Sequence, residues 1–344
     1  MEGRDALMAR IDYAVHGHGR GHASRARTVI TALLAAGHTV KIHAGGDGTS
    51  LLSGLGEVYP RPPIFPGRGA VAALLQRAFG DSARLRIDRP DLVITDGDQA
   101  IVLGARRARL PCLAIGHDLV FSACTLPSGL QRRSLAREQL NAVVPTRFAT
   151  ARIAVHFLPI APRLLHTRVA RPLSPLDLGE VPDVGALPTA PFLLAYLADG
   201  DRESVLARLD EAGVDVVVFG DGLRARGRVR TEPISRPRFV AHLRRALGVV
   251  ATAGSNVLAE CVLTHKPVLA LHTGRHHEQA LNAMLVERAG VGEAVRIGSL
   301  TAPTIRAFVA RAMSGTFAHI ELASALRPLD EVALESVTEL LARR

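Results

Sequence analysis

The stretch Thr252-Ala-Gly-Ser-Asn-Val-Leu-Ala-Glu260 sets out residue types that suit a phosphorylated ligand. Gly254 permits close approach of the backbone, and Ser255 can cap a following helix while presenting its hydroxyl. The N–H groups of a first helical turn lack intrahelical partners and attract anions. Glu260 lies a little over one turn further along the same helix, where a carboxylate suits the vicinal hydroxyls of a ribose. After the apolar run Pro267 to Leu271, a second polar group (His276, His277, Glu278, Gln279 and Asn282) opens another helical pattern. Diphosphate, ribose and sugar hydroxyls can thus be met in order along two adjacent strand-to-helix turns. Each part taken singly also fits an ordinary capped strand–helix unit. The ordered set is more specific.

A second concentration of chemistry stands near the N-terminus, in His16-Gly-His-Gly-Arg-Gly-His22. Three glycines between a strand and a helix make a backbone-exposing loop at the carboxyl end of a parallel strand, where open α/β sheets place their sites. The spacing is G-x-G-x-G, not the dinucleotide fingerprint. His22 sits at the helix start, where a neutral imidazole can accept a proton. His16 and His18 share this loop and either line a site there or have no part in it. Three histidines invite a metal, but no local carboxylate completes such a set. Pro90-Asp-Leu-Val-Ile-Thr-Asp96 reads as a buried strand ending in an acid. By its place alone Asp96 can be the N-cap of the next helix, and Asp98 lies two residues beyond it. His117 and Asp118 follow the next strand, in a loop that opens on the same side as the other strand ends. Asp96-Gly-Asp98 and Asp199-Gly-Asp201 spell the D-x-D of metal-dependent transferases. The same spelling is common turn chemistry.

Strands alternating with helices must position these groups. Arg10 to His16, Thr39 to Ala44, Pro90 to Asp96, Pro111 to Ile115 and Arg152 to Val155 read as strands of a first sheet, with Tyr59 to Gly69 as loop. Phe192 to Leu197, Val214 to Phe219, Val249 to Ala251 and Pro267 to Leu271 read as strands of a second, and Val291 to Val295 continues the alternation. Ala70 to Phe79 is helical with one apolar face, which serves the core, an acceptor or a membrane surface. The pattern predicts an α/β chain with an N-terminal domain over residues 1–165, a proline-rich passage over 166–190, a second domain over 191–325 and a last helix over 326–344.

The pattern G-S-x4-E, then K-P-V-L, then E-Q-x2-N-A resembles the nucleotide-sugar half of inverting GT-B glycosyltransferases. These include the UDP-glycosyltransferases, the N-acetylglucosaminyltransferase of lipid II synthesis and a bacterial and archaeal GT-B subgroup. The run G-x-G-H-x-x-R-A around His22 and P-D-L-V-I-x-D before Gly97 resemble the same group. The resemblance implies a GT-B fold, two Rossmann-like parallel α/β domains facing a cleft. It implies that Gly254 and Ser255 bind the diphosphate, that Glu260 holds the ribose and that Glu278 and Gln279 bind the donor sugar. Asn256, His277 and Asn282 are further donor contacts on this basis. His22 becomes the general base, oriented by Asp96 or alternatively by Asp98, with His16, His18, Asp98 and His117 toward the acceptor, and the last helix crosses back to brace the first domain as it does in many GT-B proteins. Some relatives carry a Gly-Gly-Ser loop where this chain has Asp199-Gly-Asp201, a departure from the pattern. The partners implied are a nucleoside-diphosphate sugar, UDP first, and a small-molecule or lipid-linked acceptor, with no cofactor and no metal.

Composition narrows the field. The 344 residues are 48% hydrophobic and 22% charged, as in ordinary globular proteins. No run is long enough for an apolar span and no signal-peptide core follows the polar start, whether Met1 or Met8 is first, so a cytoplasmic protein is expected. Three widely spaced cysteines make neither a disulfide frame nor a zinc site. Lys41 and Lys266 are the only lysines, so the net charge of +10 is almost wholly arginine. Much of it is a solvated face, with peripheral contact to an anionic membrane as the functional alternative. Aromatic content of 4% without tryptophan argues against base-stacking and so against nucleic acid. Two rivals share the motifs: a nucleotide-sugar hydrolase or epimerase of the same fold, and a non-catalytic nucleotide-sugar or membrane-surface binding protein.

Overall fold

Short runs of Val, Ile, Leu and Ala closed by glycine or proline are the mark of strands covered on both faces, and all the sheet pairings here are parallel. The computed structural model describes residues 8–17, 20–62, 64, 69–172, 188–198, 200–220 and 222–343. His18 and Asp199 lie outside the described residues, as do 173–187 of the proline-rich passage.

The first unit runs β1 (Arg10–Val15), α1 (Arg20–Ala35), β2 (Thr39–Ala44), α2 (Asp47–Leu52), β3 (Val58–Pro60), α3 (Ala70–Asp88), β4 (Leu92–Asp96), α4 (Gln99–Ala108) and β5 (Cys112–Gly116). It continues through α5 (Leu119–Ala123), α6 (Arg132–Asn141), α7 (Val143–Phe148), β6 (Ala151–Val155) and β7 (Thr167–Ala170). Its seven strands are ordered β3-β2-β1-β4-β5-β6-β7. The order reverses between β1 and β4, which sets Val15 beside Asp96 at the carboxyl ends of the two central strands.

Two of these strands were not expected. β3 ends on Pro60 at the sheet edge, where a missing N–H is tolerated, so its sequence reads as loop. β7 falls within residues 166–190 yet pairs with β6, so the first sheet extends past residue 165. Its four residues are too few to show alternation. By its contacts the first unit ends at Leu173 and resumes at Leu326, while Ser128–Arg137, from the loop before α6 into that helix, groups with the second unit.

Strand alternation divides the first core in two. Tyr13 and Val15 join Val29, Ile30 and Leu33 of α1 on one face, and Ala14 joins Ile101, Val102 and Ala105 of α4 on the other. The final helix, α14 (Leu329–Ala342), belongs to the former cluster through Leu329, Val332, Ala333, Val337 and Leu340. Full burial of a leucine or valine side chain stabilises by about 1.5–3 kcal/mol. Arg168 of β7 pairs with Glu335 and Glu339 of this helix at 3.2 and 2.6 Å.

The second unit runs β8 (Leu193–Tyr196), α8 (Arg202–Glu211), β9 (Val216–Phe219), β10 (Val229–Glu232), α9 (Arg236–Arg245), β11 (Gly248–Thr252), α10 (Ser255–Leu263), β12 (Val268–His272), α11 (His277–Arg288) and β13 (Gly292–Arg296), followed by α12 (Ala302–Met313) and α13 (Leu322–Ala325). The strand order β10-β9-β8-β11-β12-β13 repeats the reversal, here between β8 and β11. Leu193, Val216, Val250 and Leu269 share a core with Ile305 and Phe308 of α12. Among the described residues no helix is long and apolar enough to cross a membrane. Cys112, Cys124 and Cys261 are buried and free.

Candidate active site

In the first unit the site is built where the strand order reverses. α1 buries Ala23, Ala26, Val29, Ile30 and Leu33, which fixes its rotation about its axis. His22 and Arg25, three residues apart, therefore share one face of its first turns. β4 is buried along its whole length and ends in Asp96, which is 0% exposed. His22 Nδ1 lies 2.5 Å from Asp96 Oδ1. Arg25 donates to the same carboxylate twice, Nε to Oδ2 at 3.0 Å and Nη2 to Oδ1 at 2.7 Å. His16, half-buried, sets its ring edge-on to His22 at 5.6 Å, and its N–H donates to the Asp96 carbonyl at 2.8 Å.

Burial pushes the Asp96 carboxyl up, but the Arg25 guanidinium and His22 outweigh it and hold the group below its ordinary value. Asp96 is thus an anion that only accepts, so its partner His22 Nδ1 is a donor, and in a neutral imidazole so bonded Nε2 is the acceptor. The arrangement can orient a base. Gly97 makes room for it: φ is +79°, and a Cβ there would come within 3.0 Å of both His22 Cε1 and His16 Cβ.

Asp98 has a different part from the one expected. Its Oδ1 caps α4 by accepting from Ala100 and Ile101 N–H, and its Oδ2 takes Arg61 and Arg77 at 2.8 and 2.6 Å. The N-cap expected of Asp96 falls to Asp98, whose other oxygen is held by two arginines. His117, expected toward the acceptor, has partners within the fold. It is 3% exposed, donates from Nδ1 to the Val155 carbonyl at 2.8 Å and stacks on His156 at 5.4 Å. That is a brace between the ends of β5 and β6. Arg25 was not singled out in the sequence, although H-x-x-R at helical spacing carried its signal.

In the second unit the turn after β11 is held from beneath. Asn282, 0% exposed, donates from Nδ2 to the Ala253 carbonyl at 3.0 Å, and Thr252 Oγ1 accepts from Ala198 N–H at 3.1 Å. Asn282 therefore supports the turn. α10 begins at Ser255 with Gly254 as N-cap and no side chain closing the end, so Ser255 is not the cap it was expected to be. The first N–H groups of α10 are left without intrahelical partners. Neither backbone nor neighbours demand glycine at 254: φ is −79°, and the nearest atom to an added Cβ is 3.9 Å away. The space above the turn is open.

Glu260, 4% exposed, receives the guanidinium of Arg236, with Nη1 to Oε2 at 3.0 Å and Nη2 against Oε1. Arg236 was not singled out either, since nothing in its spacing connects it to an acid 24 residues on. Asn256 is half-buried and its Oδ1 has no hydrogen-bond partner among the described residues. His276 is the N-cap of α11 without a side-chain cap bond, and Glu278 and Gln279 are half-buried in that helix's first turn. His277 Nδ1 lies 2.9 Å from Ser134 Oγ. Among the described residues no three His, Cys, Asp or Glu side chains gather as a metal would require.

The spinosyn forosaminyltransferase SpnP is similar in structure, with a TM-score of 0.68 at 17% identity over 97% of this chain and 100% of that one. LpCGTa in complex with UDP gives 0.68 at 17% identity over 98% and 99%, and MurG of Acinetobacter baumannii 0.63 at 16% over 97% and 99%. At these identities the likeness is one of fold, which is GT-B. No curated protein matches in sequence. The model of the family described as glycosyl transferase family 1 matches residues 9–59 and 81–312, a span that takes in His22, Asp96 and the whole turn from Thr252 to Glu260. The chain belongs to glycosyl transferase family 1 and is a glycosyltransferase.

Proposed function

We propose that the chain transfers a sugar from a nucleoside-diphosphate donor, UDP first among the bases, to an acceptor hydroxyl or amine with inversion at C1 and without a metal cofactor. The observation that carries this is the His22–Asp96 contact, which leaves Nε2 as a base. His22 Nε2 takes the acceptor's proton while the acceptor atom bonds to C1 from the face opposite the diphosphate. The C1–O bond pair leaves with the diphosphate, and the unpartnered N–H groups at the start of α10 offset its growing charge. Glu260 holds the ribose, and Glu278 and Gln279 hold the sugar.

The acceptor is a small molecule or a lipid-linked one, and the outer face of α3 favours the second. Val71, Leu75 and Phe79 recur there at four-residue spacing and are 70%, 40% and 61% exposed, with Arg107 over the Phe79 ring. An apolar stripe beside arginine suits a peripheral position on an anionic membrane at its cytoplasmic face.

Thermal-shift titration with UDP, GDP, dTDP and CMP tests the donor half. A ligand at about 100 times its Kd adds roughly 2.7 kcal/mol, and Glu260→Ala should abolish the shift. No shift with any of the four at millimolar concentration would remove the donor assignment. Full turnover in His22→Ala would remove the base.

A further inference from the structure

The carboxylate assigned to the ribose is not waiting for it. Both oxygens of Glu260 are engaged by one guanidinium, that of Arg236 at the first position of α9. The two ends of this pair differ in exposure: the Glu260 side chain is 5% exposed and that of Arg236 49%. The neighbouring arginine behaves otherwise. Arg238 closes a pair with Glu232 at the end of its own preceding strand, at 3.0 Å to both oxygens. Arg236 instead reaches from α9 to α10, the helix whose N-terminal turn lies open at Gly254.

Opposite charges that satisfy each other in the free chain are also the two charges a nucleoside diphosphate needs. Ribose hydroxyls donate to a carboxylate, and phosphate oxygens accept from a guanidinium in forked geometry. A ribose that takes Glu260 frees a cation at the moment a dianionic group arrives beside it. A half-exposed arginine on a long stem can follow that exchange, whereas the buried acid cannot move.

We infer that Arg236 is a second binding residue of the donor site: it holds Glu260 in the free chain and transfers to the diphosphate when the nucleotide binds. This rests on Glu260 being the ribose carboxylate. It makes nucleotide selection depend on phosphate charge as well as on the base. A nucleoside gains only a carboxylate that must first be released, whereas its diphosphate replaces the arginine's lost partner.

The test is calorimetric titration of wild type, Arg236→Gln, Arg236→Lys and Glu260→Ala with the stabilising diphosphate, its nucleoside and inorganic pyrophosphate. In Arg236→Gln the diphosphate should bind about tenfold or more weaker while the nucleoside binds as well as before or better. Pyrophosphate should lose affinity with it, and Arg236→Lys should recover part of the loss. Equal or tighter diphosphate binding in Arg236→Gln would make Arg236 a counter-ion only and overturn the inference. Diphosphate binding that survives Glu260→Ala would instead overturn the ribose assignment beneath it. Circular dichroism of each variant verifies that the second unit remains folded.

Discussion

Replacing Asp96 by asparagine separates what the buried trio does for stability from what it does for turnover. The carboxylate accepts three bonds: His22 Nδ1 and Arg25 Nη2 at Oδ1, and Arg25 Nε at Oδ2. An amide has one acceptor oxygen. With its nitrogen at the Oδ2 position, N–H meets the Arg25 Nε–H. With its nitrogen at Oδ1, it meets Nη2–H and offers a proton to His22 Nδ1, which forces the tautomer whose Nε2 cannot act as base. Either way Arg25, 6% exposed, loses its counter-charge. Breaking a buried pair in this manner costs about 3–5 kcal/mol. For a unit of this size that lowers Tm by roughly 6–20 °C. Turnover should fall about 10²- to 10⁴-fold, the range of a general base. The double variant Asp96→Asn/Arg25→Met removes the stranded cation, so it should recover most of the stability and none of the turnover. Thermal unfolding and initial rates on the three proteins decide it. Wild-type Tm and turnover within about threefold in Asp96→Asn would refute the account of the trio.

Acid should weaken the fold in two stages. His156 and His43 are held below their ordinary 6.5 by burial, so the unfolded chain takes up their protons before the folded one does, and stability is full above about pH 6.5 and declines below it. Asp12, Asp96 and Asp98 are held below their ordinary 3.8 because arginines and histidines outweigh burial, so their contribution is full above that value and is lost as pH falls through the folded values. A Tm unchanged from pH 7 to 5 would contradict the first stage, and one unchanged from 4 to 3 the second. Gly254→Ala should fold with wild-type stability, because a methyl finds its nearest atom at 3.9 Å, yet bind the diphosphate about tenfold weaker by calorimetry. Unaltered affinity would mean that no ligand approaches there. Gly97→Ala should cost about 1–2 kcal/mol for its left-handed backbone and reduce turnover by displacing the His22 ring. Retained turnover at lowered Tm would detach that glycine from catalysis.

The fold was legible because each central strand is a short apolar run with a glycine or proline beside it, and the strand-to-helix turns follow at once. β2 shows this best, its bounds Thr39–Ala44 being those that the sequence suggests. β3 and β7 were not legible, since edge strands of three or four residues draw their stability from a neighbour that the local sequence does not show. The pairing of His22 with Asp96 was open to inference because strand ends in a parallel sheet converge. The part of Asp98 was harder to see. A cap and a base partner are spelled alike, and what distinguishes them is which acid the arginines reach. Arg61 and Arg236 find their acids only once helices from distant segments are packed. Asn282 and His117 are buried polar residues that hold backbone carbonyls of other segments, a use that their own spacing does not show.

The placement of α14 bears on how the protein is made. A ribosome delivers β1 to β7 first, but Leu329, Val332, Ala333, Val337 and Leu340 complete the cluster around Tyr13 and Ile30 and arrive only after the whole second unit. Domains generally fold in the order of their synthesis. Here the second unit can finish on the nascent chain while the first waits with an uncovered apolar face, a natural place for a chaperone to hold. Premature termination before Leu329 would therefore spoil the segment translated first and spare the one translated last.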